Sequence, residues 1–491
     1  MRVNLRFSIR HLFSTVYLFL FGVALFIRFP FFFRDIIDHD ESTFIFIGNS
    51  IADGYLPYDY LWDLKPPLLF YVFGLVEYIF PHSLIAIRGF GVIIIFLSSL
   101  FLLQIAKTIS VKNGFVIALS YIVLSSMFGS IQCVMSEHVA VFFFLPGLLF
   151  FLKSRTTLNF LLAGFFFGCA LLCKMNFACT VLALLLYYII FYHKEAGIKQ
   201  VSKNSLLIIG GISIPFILIA VPYIIANKLK LLIDSVFMAT FEYGNNMRAS
   251  ALYKLAITWW IIVIGLLISF LALKLAQKEN RKTAGLFVVM LMATIITFYS
   301  NGIVNGHYLI QIFPFISLLF FVFILKREFK PRYLKFAFLI LLLSVESYQE
   351  YYRIAKQYSV SSTLYNGKAF TTIHELKMRH LENRKIFFAN YHIGHWFLHK
   401  YPLTKSITHP TSLSRPFLFK YFGNNRNSLQ ELTYIMEETK PEVIVSRQEN
   451  LSLFLENSSE NLYFESRMKN YFNLVYSNTK ENIFIWQKID N

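Results

Sequence analysis

The chain has 491 residues, of which 56% are hydrophobic and 15% charged, with 55 Phe and 28 Tyr. A soluble domain carries about a quarter charged residues, so this composition excludes an ordinary soluble globular protein and points to a polytopic membrane protein. The net charge of +18, from 46 basic and 28 acidic residues, does not imply nucleic acid, because no basic, aromatic-interleaved soluble module accompanies it.

The basic start MRVNLRFSIRH precedes an apolar run that lacks a small-residue cleavage site and continues through Arg28 and Pro30 into further Phe. A retained anchor is therefore expected rather than a removed signal peptide. The apolar pattern predicts helices at 12–33, 84–106, 114–131, 138–152, 157–173, 176–192, 205–226, 256–273, 283–300, 308–325 and 333–346. That is about eleven spans, each suited to a hydrocarbon core about 30 Å thick. The gaps MRVNLRFSIR, KTISVKN, KSRTT, HKEAGIKQVSKN, KLAQKENRK and KREFKPRYLK are basic and alternate with the other loops. Basic loops belong on the cytoplasmic side. The N-terminus is then cytoplasmic, and residues 34–83, 227–255, 301–307 and 347–491 share the extracytoplasmic face. The expected fold is mainly α: a membrane helical bundle over 1–346, then a small soluble extracytoplasmic α/β domain over 347–491.

Within the first outer segment, Asp38, His39, Asp40 and Glu41 stand in succession. STFIFIGNSIADG follows with apolar residues near helical spacing and closes on Gly54, as a short interfacial helix would. YLPYDYLWD reads as a turn. In LKPPLLFYVFGLVEYIF, Pro66 and Pro67 can open a helix, where a missing N–H costs nothing. About 14 apolar residues suggest a re-entrant or interfacial helix rather than a full span. Arg88 follows in the first turns of the next span, where it snorkels or faces a polar cavity. Lys174 sits at a tight turn between two helices, and His307 and Tyr308 open a later span at the same level.

Cys133, Cys169, Cys173 and Cys179 lie in or beside apolar helices without zinc-type spacing, and read as small packing residues. In the tail, KIFFAN, EVIVS, FNLVYS and NIFIWQ read as short strands. SLQELTYIMEETK reads as an amphipathic helix, with Ser428 as candidate cap and Glu431 three residues on. His392, His395 and His399 have spacings of three and four; a histidine-rich surface patch is expected there.

Chemically, a carboxylate at an interface can act as general base on an incoming hydroxyl or amine, and fixed cations nearby can stabilise a departing phosphate. In this topology Asp40 and Glu41 share a face with Lys65, Arg88, Lys174 and His307.

The ordered set DESTF at 40–44, KPPLLF at 65–70 and IRGF at 87–90 resembles membrane glycosyltransferases of the GT-C class. The nearest branch is glycosyltransferase family 39, with the aminoarabinose transferases and bacterial relatives of protein O-mannosyltransferases. Further along, SEHVAVFFFLPGLLFF with Glu137, LAGFFFGCALLCK ending in Lys174, and HYLIQIFPFISLLF are similar to the same family, so that the likeness covers about residues 10–350. The resemblance implies an inverting transferase, located in a bacterial inner membrane, that uses a polyprenyl-phosphate sugar donor. The acceptor would be a lipid, a glycan or a protein. Carried over by position, Asp40 would be the catalytic base and Glu41 would support it or position the acceptor, while Lys65, Arg88, Lys174, His307 and Tyr308 would contact the donor phosphate. Some relatives carry an acid immediately before KPP, where it joins a metal site. Here that position is Leu64 and the acid, Asp63, is one residue earlier. A divalent metal held by His39, Asp40 and Asp63 is the weaker possibility.

A polytopic transporter of a lipid-linked or anionic solute is the alternative, and a non-catalytic assembly factor a third reading. A transporter calls for polar residues near mid-membrane and often an internal repeat. Here the central stretches are overwhelmingly Phe, Leu and Ile, and the charges are expected to gather at one surface.

Overall fold

The structure is a computed structural model that describes residues 15–109, 114–153, 156–247, 249–300, 304–324 and 342–489. Among these, seven helices are long and apolar enough to cross a membrane: Thr15–Phe33, Leu84–Thr108, Ser136–Lys153, Phe177–Ala196, Ile198–Ile225, Ala251–Leu275 and Lys278–Tyr299. Four shorter apolar helices, Pro67–Ile79, Gly114–Leu124, Thr157–Leu171 and Phe313–Ile324, accompany them. The chain is a multi-pass membrane protein. The span expected at 333–346 lies largely outside the described residues. Three other expectations change in detail. The helix expected over 114–131 stops at Leu124, and a 3-10 turn follows at Gly129–Gln132. The one expected at 205–226 begins at Ile198, one residue after the helix that ends at Ala196. That single break is Gly197, at φ 79. Finally, the loop expected at 227–255 is largely helical, through Leu229–Ile233, Asp234–Met238 and Ala239–Asn246.

The chain divides into two compact units. The first comprises Met1–Phe32, Arg88–Ile219 and Met247–Glu350. Its helices pack through aromatic and small residues. Phe144 meets Phe167 at 5.2 Å and Phe177 at 5.0 Å between ring centroids. Gly164 and Gly168, which the sequence spaces one turn apart, bring the backbone of Thr157–Leu171 against that of Ile198–Ile225, where a methyl group would collide with the Ile208 and Ile212 carbonyls. The most apolar stretch of Ile198–Ile225 is only 22% buried inside the protein, which leaves most of its side chains to hydrocarbon. Arg28, 2% exposed, ends its helix by donating to the carbonyls of Ser125, Ile131 and Cys133 at 3.2, 3.0 and 2.9 Å. Those acceptors stand in for the water a guanidinium would otherwise require.

The second unit gathers Phe33–Ile87, Ala220–Asn246 and Tyr351–Asn491. Three of the four segments that the loop pattern assigns to one face thus contribute to this body, while the fourth does not. Its contacts cross the segments: Tyr223 Oη donates to the Pro57 carbonyl at 3.0 Å, Trp62 Nε1 to Ser235 Oγ at 2.9 Å, and Asn49 Nδ2 to Tyr401 Oη at 2.9 Å. All four expected strands are present as β1 (Ile386–Phe388), β2 (Val443–Ser446), β3 (Phe472–Asn478) and β4 (Ile483–Lys488). They form one sheet in the order β1-β2-β4-β3, with β1 and β2 parallel and the remaining pairs antiparallel. β1 and β2 are buried along their whole length, which suits their unbroken apolar sequences. The cap of the amphipathic helix is Asn427, not Ser428. Asn427 accepts the Gln430 N–H while the Gln430 side chain accepts the Asn427 N–H, and Ser428 Oγ instead donates to the Leu413 carbonyl.

Candidate functional site

Asp40 sits in the first turn of the His39–Ala52 helix. Asp38 adopts an extended conformation there and its carboxylate accepts the Asp40 N–H at 2.9 Å, so the acidic run supplies its own N-cap. Apolar spacing then carries the helix inward, burying Glu41 through Gly48. The Pro67–Ile79 helix packs against it at a glycine crossing. A Cβ on Gly48 would lie 2.8 Å from Phe73 Cβ, and one on Gly74 would lie 2.8 Å from Ile51 Cγ2. Phe44 fills the adjoining layer against Phe70 and Phe73. Pro66 and Pro67 open the second helix as expected, and this delivers Lys65, immediately before them, to Asp40. Lys65 Nζ lies 2.9 Å from Asp40 Oδ2, with the two side chains 18% and 19% exposed. The ammonium also lies 5.6 Å from the centre of the Phe44 ring, and the Lys65 carbonyl accepts Tyr58 Oη at 2.6 Å.

A second partner comes from the tail. His409 Nε2 lies 3.3 Å from Asp40 Oδ1. His409 Nδ1 accepts the Thr411 backbone N–H at 3.2 Å, and a backbone N–H can only donate. Nδ1 is therefore unprotonated, and Nε2 carries the hydrogen that faces Asp40. Nothing in the sequence singled out His409: it lies in THPTS, far from DEST, without spacing to either partner. Glu41 is buried, at 1% exposure, directly after Asp40. Asp63 is also buried, with Oδ2 lacking a hydrogen-bond partner. Among the described residues, no group of three or more His, Cys, Asp or Glu side chains is arranged to hold a metal ion, and that includes His39, Asp40 and Asp63.

The histidines of YHIGHWFLHK do not form the expected surface patch. His392 and His395 are 1% and 2% exposed, and neither ring nitrogen of either has a hydrogen-bond partner. The helix here is only Gly394–Phe397, so His399, at φ 53, lies beyond it. His392 packs between His39 and Phe46, with ring centroids at 5.4 and 5.7 Å. Burial pushes the His395 imidazole down to about 3 and the His392 imidazole well below its ordinary value.

The first unit holds the other expected site residues. Glu137, wholly buried in the first turn of Ser136–Lys153, pairs with Lys174 Nζ at 2.7 Å. Lys174 occupies the turn between Thr157–Leu171 and Phe177–Ala196 and lies over the Tyr308 ring at 4.8 Å. His307 Nε2 is 3.9 Å from Glu137, and its Nδ1 is 3.3 Å from Ser130 Oγ. Arg88 is 2% exposed and donates to the Phe31 carbonyl at 2.7 Å. The structure thus joins Asp40 to Lys65 in one unit, and Lys174, His307 and Tyr308 around Glu137 in the other.

Helices fit for a bilayer, and paired acids and bases placed at helix starts, define a polytopic membrane protein with the ingredients of acid–base chemistry. Residues 64–225, roughly a third of the chain, match the family model described as dolichyl-phosphate-mannose-protein mannosyltransferase. The class supported by this match is that of membrane glycosyltransferases. Lys65, Arg88, Glu137 and Lys174 fall inside the matched stretch, whereas Asp40, His307 and His409 fall outside it. Solved structures that match include the crystal structure of the Archaeoglobus fulgidus oligosaccharyltransferase in complex with zinc and sulfate. It is 12% identical over 96% of this chain and 73% of that chain, with a TM-score of 0.49. No curated protein matches.

Proposed function

We propose that the protein is an inverting glycosyltransferase that moves a sugar from a polyprenyl-phosphate donor to a lipid, glycan or protein acceptor. The reaction takes place on the extracytoplasmic face of a bacterial inner membrane, where the second unit resides. The observation that carries this reading is the Asp40 carboxylate, partly exposed at a helix start and held by Lys65 on one oxygen and His409 on the other.

Asp40 takes the proton of the acceptor's nucleophilic group as that group attacks the anomeric carbon. The new bond forms on one face of the sugar while the bond to the phosphate oxygen breaks on the other, so the configuration inverts and polyprenyl phosphate leaves with the bonding electrons. A base positioned in this way contributes about 10²–10⁴ in rate. The buried Glu41 supports the position of its neighbour.

The donor-phosphate roles of Lys65, Arg88, Lys174, His307 and Tyr308 are parts of the same proposal, each tested by donor binding to its own variant. An ammonium has three N–H donors, so Lys174 can meet a phosphate while keeping Glu137.

The test is Asp40→Asn, read as the glycolipid and surface-glycan profile of cells carrying it, beside wild type and a gene deletion. The variant should insert normally and reproduce the deletion profile. A wild-type profile from Asp40→Asn would remove Asp40 as the base.

A further inference from the structure

The second unit contains a cavity of about 400 Å³ apart from the Asp40–Lys65 pair. Arg34, Arg353, Lys368 and Arg447 line it, from four separate places in the chain. The acid among its lining residues is Asp35, so four fixed positive charges meet one carboxylate. Asp35 is tied into the fold: its side chain accepts the N–H groups of Ile36 and Ala369, each at 2.5 Å, and it is 5% exposed. The wall is rigid. The Asn366 N–H donates to the Phe33 carbonyl at 2.9 Å, the Asp35 N–H donates to the Asn366 carbonyl at 3.2 Å, and Gly367 stands at φ 131 with no room for a Cβ beside the Asp35 carboxylate. Elsewhere in the lining, Asn390 Oδ1 accepts the Arg447 N–H at 2.9 Å, and Tyr391 Oη donates to the Asn482 carbonyl at 2.7 Å.

Isolated surface cations bind anions weakly. Several converging on one enclosure give charge-assisted and bidentate contacts of higher strength. The lining also tells against the donor lipid. Ile36 is its one aliphatic side chain, and a polyprenyl tail needs an apolar wall. His39 joins the lining, so the cavity adjoins the residue next to Asp40.

We infer that this cavity binds a phosphoryl- or carboxyl-class anion, and that the anion is part of the acceptor, held with its nucleophile toward Asp40. The assignment to the acceptor rests on the transferase reading above; the anion site itself does not.

The experiment uses full-length protein in nanodiscs, titrated calorimetrically with inorganic pyrophosphate, glucose 6-phosphate and glucose, with wild type, Lys368→Gln/Arg447→Gln and Asp40→Asn compared. The anions should bind and glucose should not. The double variant should lose at least about tenfold in anion affinity, and Asp40→Asn should keep wild-type affinity. Equal anion binding by wild type and the double variant overturns the site. A polyprenyl phosphate titration separates the two sources of phosphate: its affinity should be unchanged in the double variant, and a parallel loss would move the site to the donor and overturn the acceptor assignment. Failure of the transferase reading would appear instead as a gene deletion that leaves the glycolipid and surface-glycan profile unchanged, with anion binding intact.

Discussion

His409 Nε2 stands 3.3 Å from Asp40 Oδ1 across 369 positions of sequence, and the Thr411 N–H on its other nitrogen determines which edge carries the proton. The start of the His39–Ala52 helix is thereby tied to an imidazole from the tail. His409→Ala should lower turnover by about tenfold or more without loss of insertion, since a base that rotates away from its nucleophile loses alignment. His409→Gln can still donate from its side-chain amide and should recover part of the loss. Steady-state transfer by both variants checks this; turnover of His409→Ala equal to wild type would leave the imidazole without a part in the reaction.

Glu137 and Lys174 are 0% and 8% exposed, so removal of one partner strands a charge in a water-poor interior. Glu137→Gln alone should destabilise the protein by about 3–5 kcal/mol, and Glu137→Gln with Lys174→Met by distinctly less. Thermal unfolding in one detergent would show it. Equal shifts for the single and double variants would mean that the pair is not the stabilising unit.

At the crossing that seats Asp40 beside Lys65, a methyl on Gly48 meets Phe73 Cβ at 2.8 Å and the Phe73 backbone carbon at 2.9 Å. Gly48→Ala should therefore cost about 1–3 kcal/mol through overpacking and lower transfer as well. A stable, fully active Gly48→Ala protein would show that the two helices have slack.

The tail should be acid-sensitive through His392 and His395. Both are held neutral by burial, His395 down to about 3 and His392 well below its ordinary value of 6.5. Above about pH 6.5 neither state of the protein takes up a proton at these rings, and stability does not respond to them. Below it, the unfolded chain binds protons that the native state refuses. Stability then falls as pH falls, by up to about 1.4 kcal/mol per pH unit per histidine, until the native His395 protonates near pH 3. Denaturant midpoints from pH 7 to pH 4.5 should drop, and His395→Leu should flatten the slope; an unchanged slope in that variant would acquit His395.

The helices that cross or approach the bilayer were legible because apolar length is a direct physical requirement of hydrocarbon. So were the four tail strands, whose apolar runs lie between polar turns. The Asp40–Lys65 pair was reachable from two motifs about 25 residues apart, since a turn and a proline start leave the chain few ways to connect them. His409 was not, because tertiary folding alone brings it within reach of Asp40. The same holds for the cationic cavity, whose arginines and lysine are scattered from 34 to 447. The His392–His395 patch was misjudged because periodicity cannot tell a histidine facing water from one wedged against Phe46. Ser428 lost its cap role to Asn427, the neighbour that had the extended backbone and a glutamine three residues on.

The body that carries Asp40 is assembled from stretches that leave the ribosome at very different times. Residues 33–87 emerge early, and the partners that complete them are translated hundreds of residues later, after most membrane helices have been inserted. A nascent chain must therefore hold residues 33–87 in an unfinished state. Late nonsense mutations, although they spare every apolar helix, should yield a protein that is fully embedded and chemically silent.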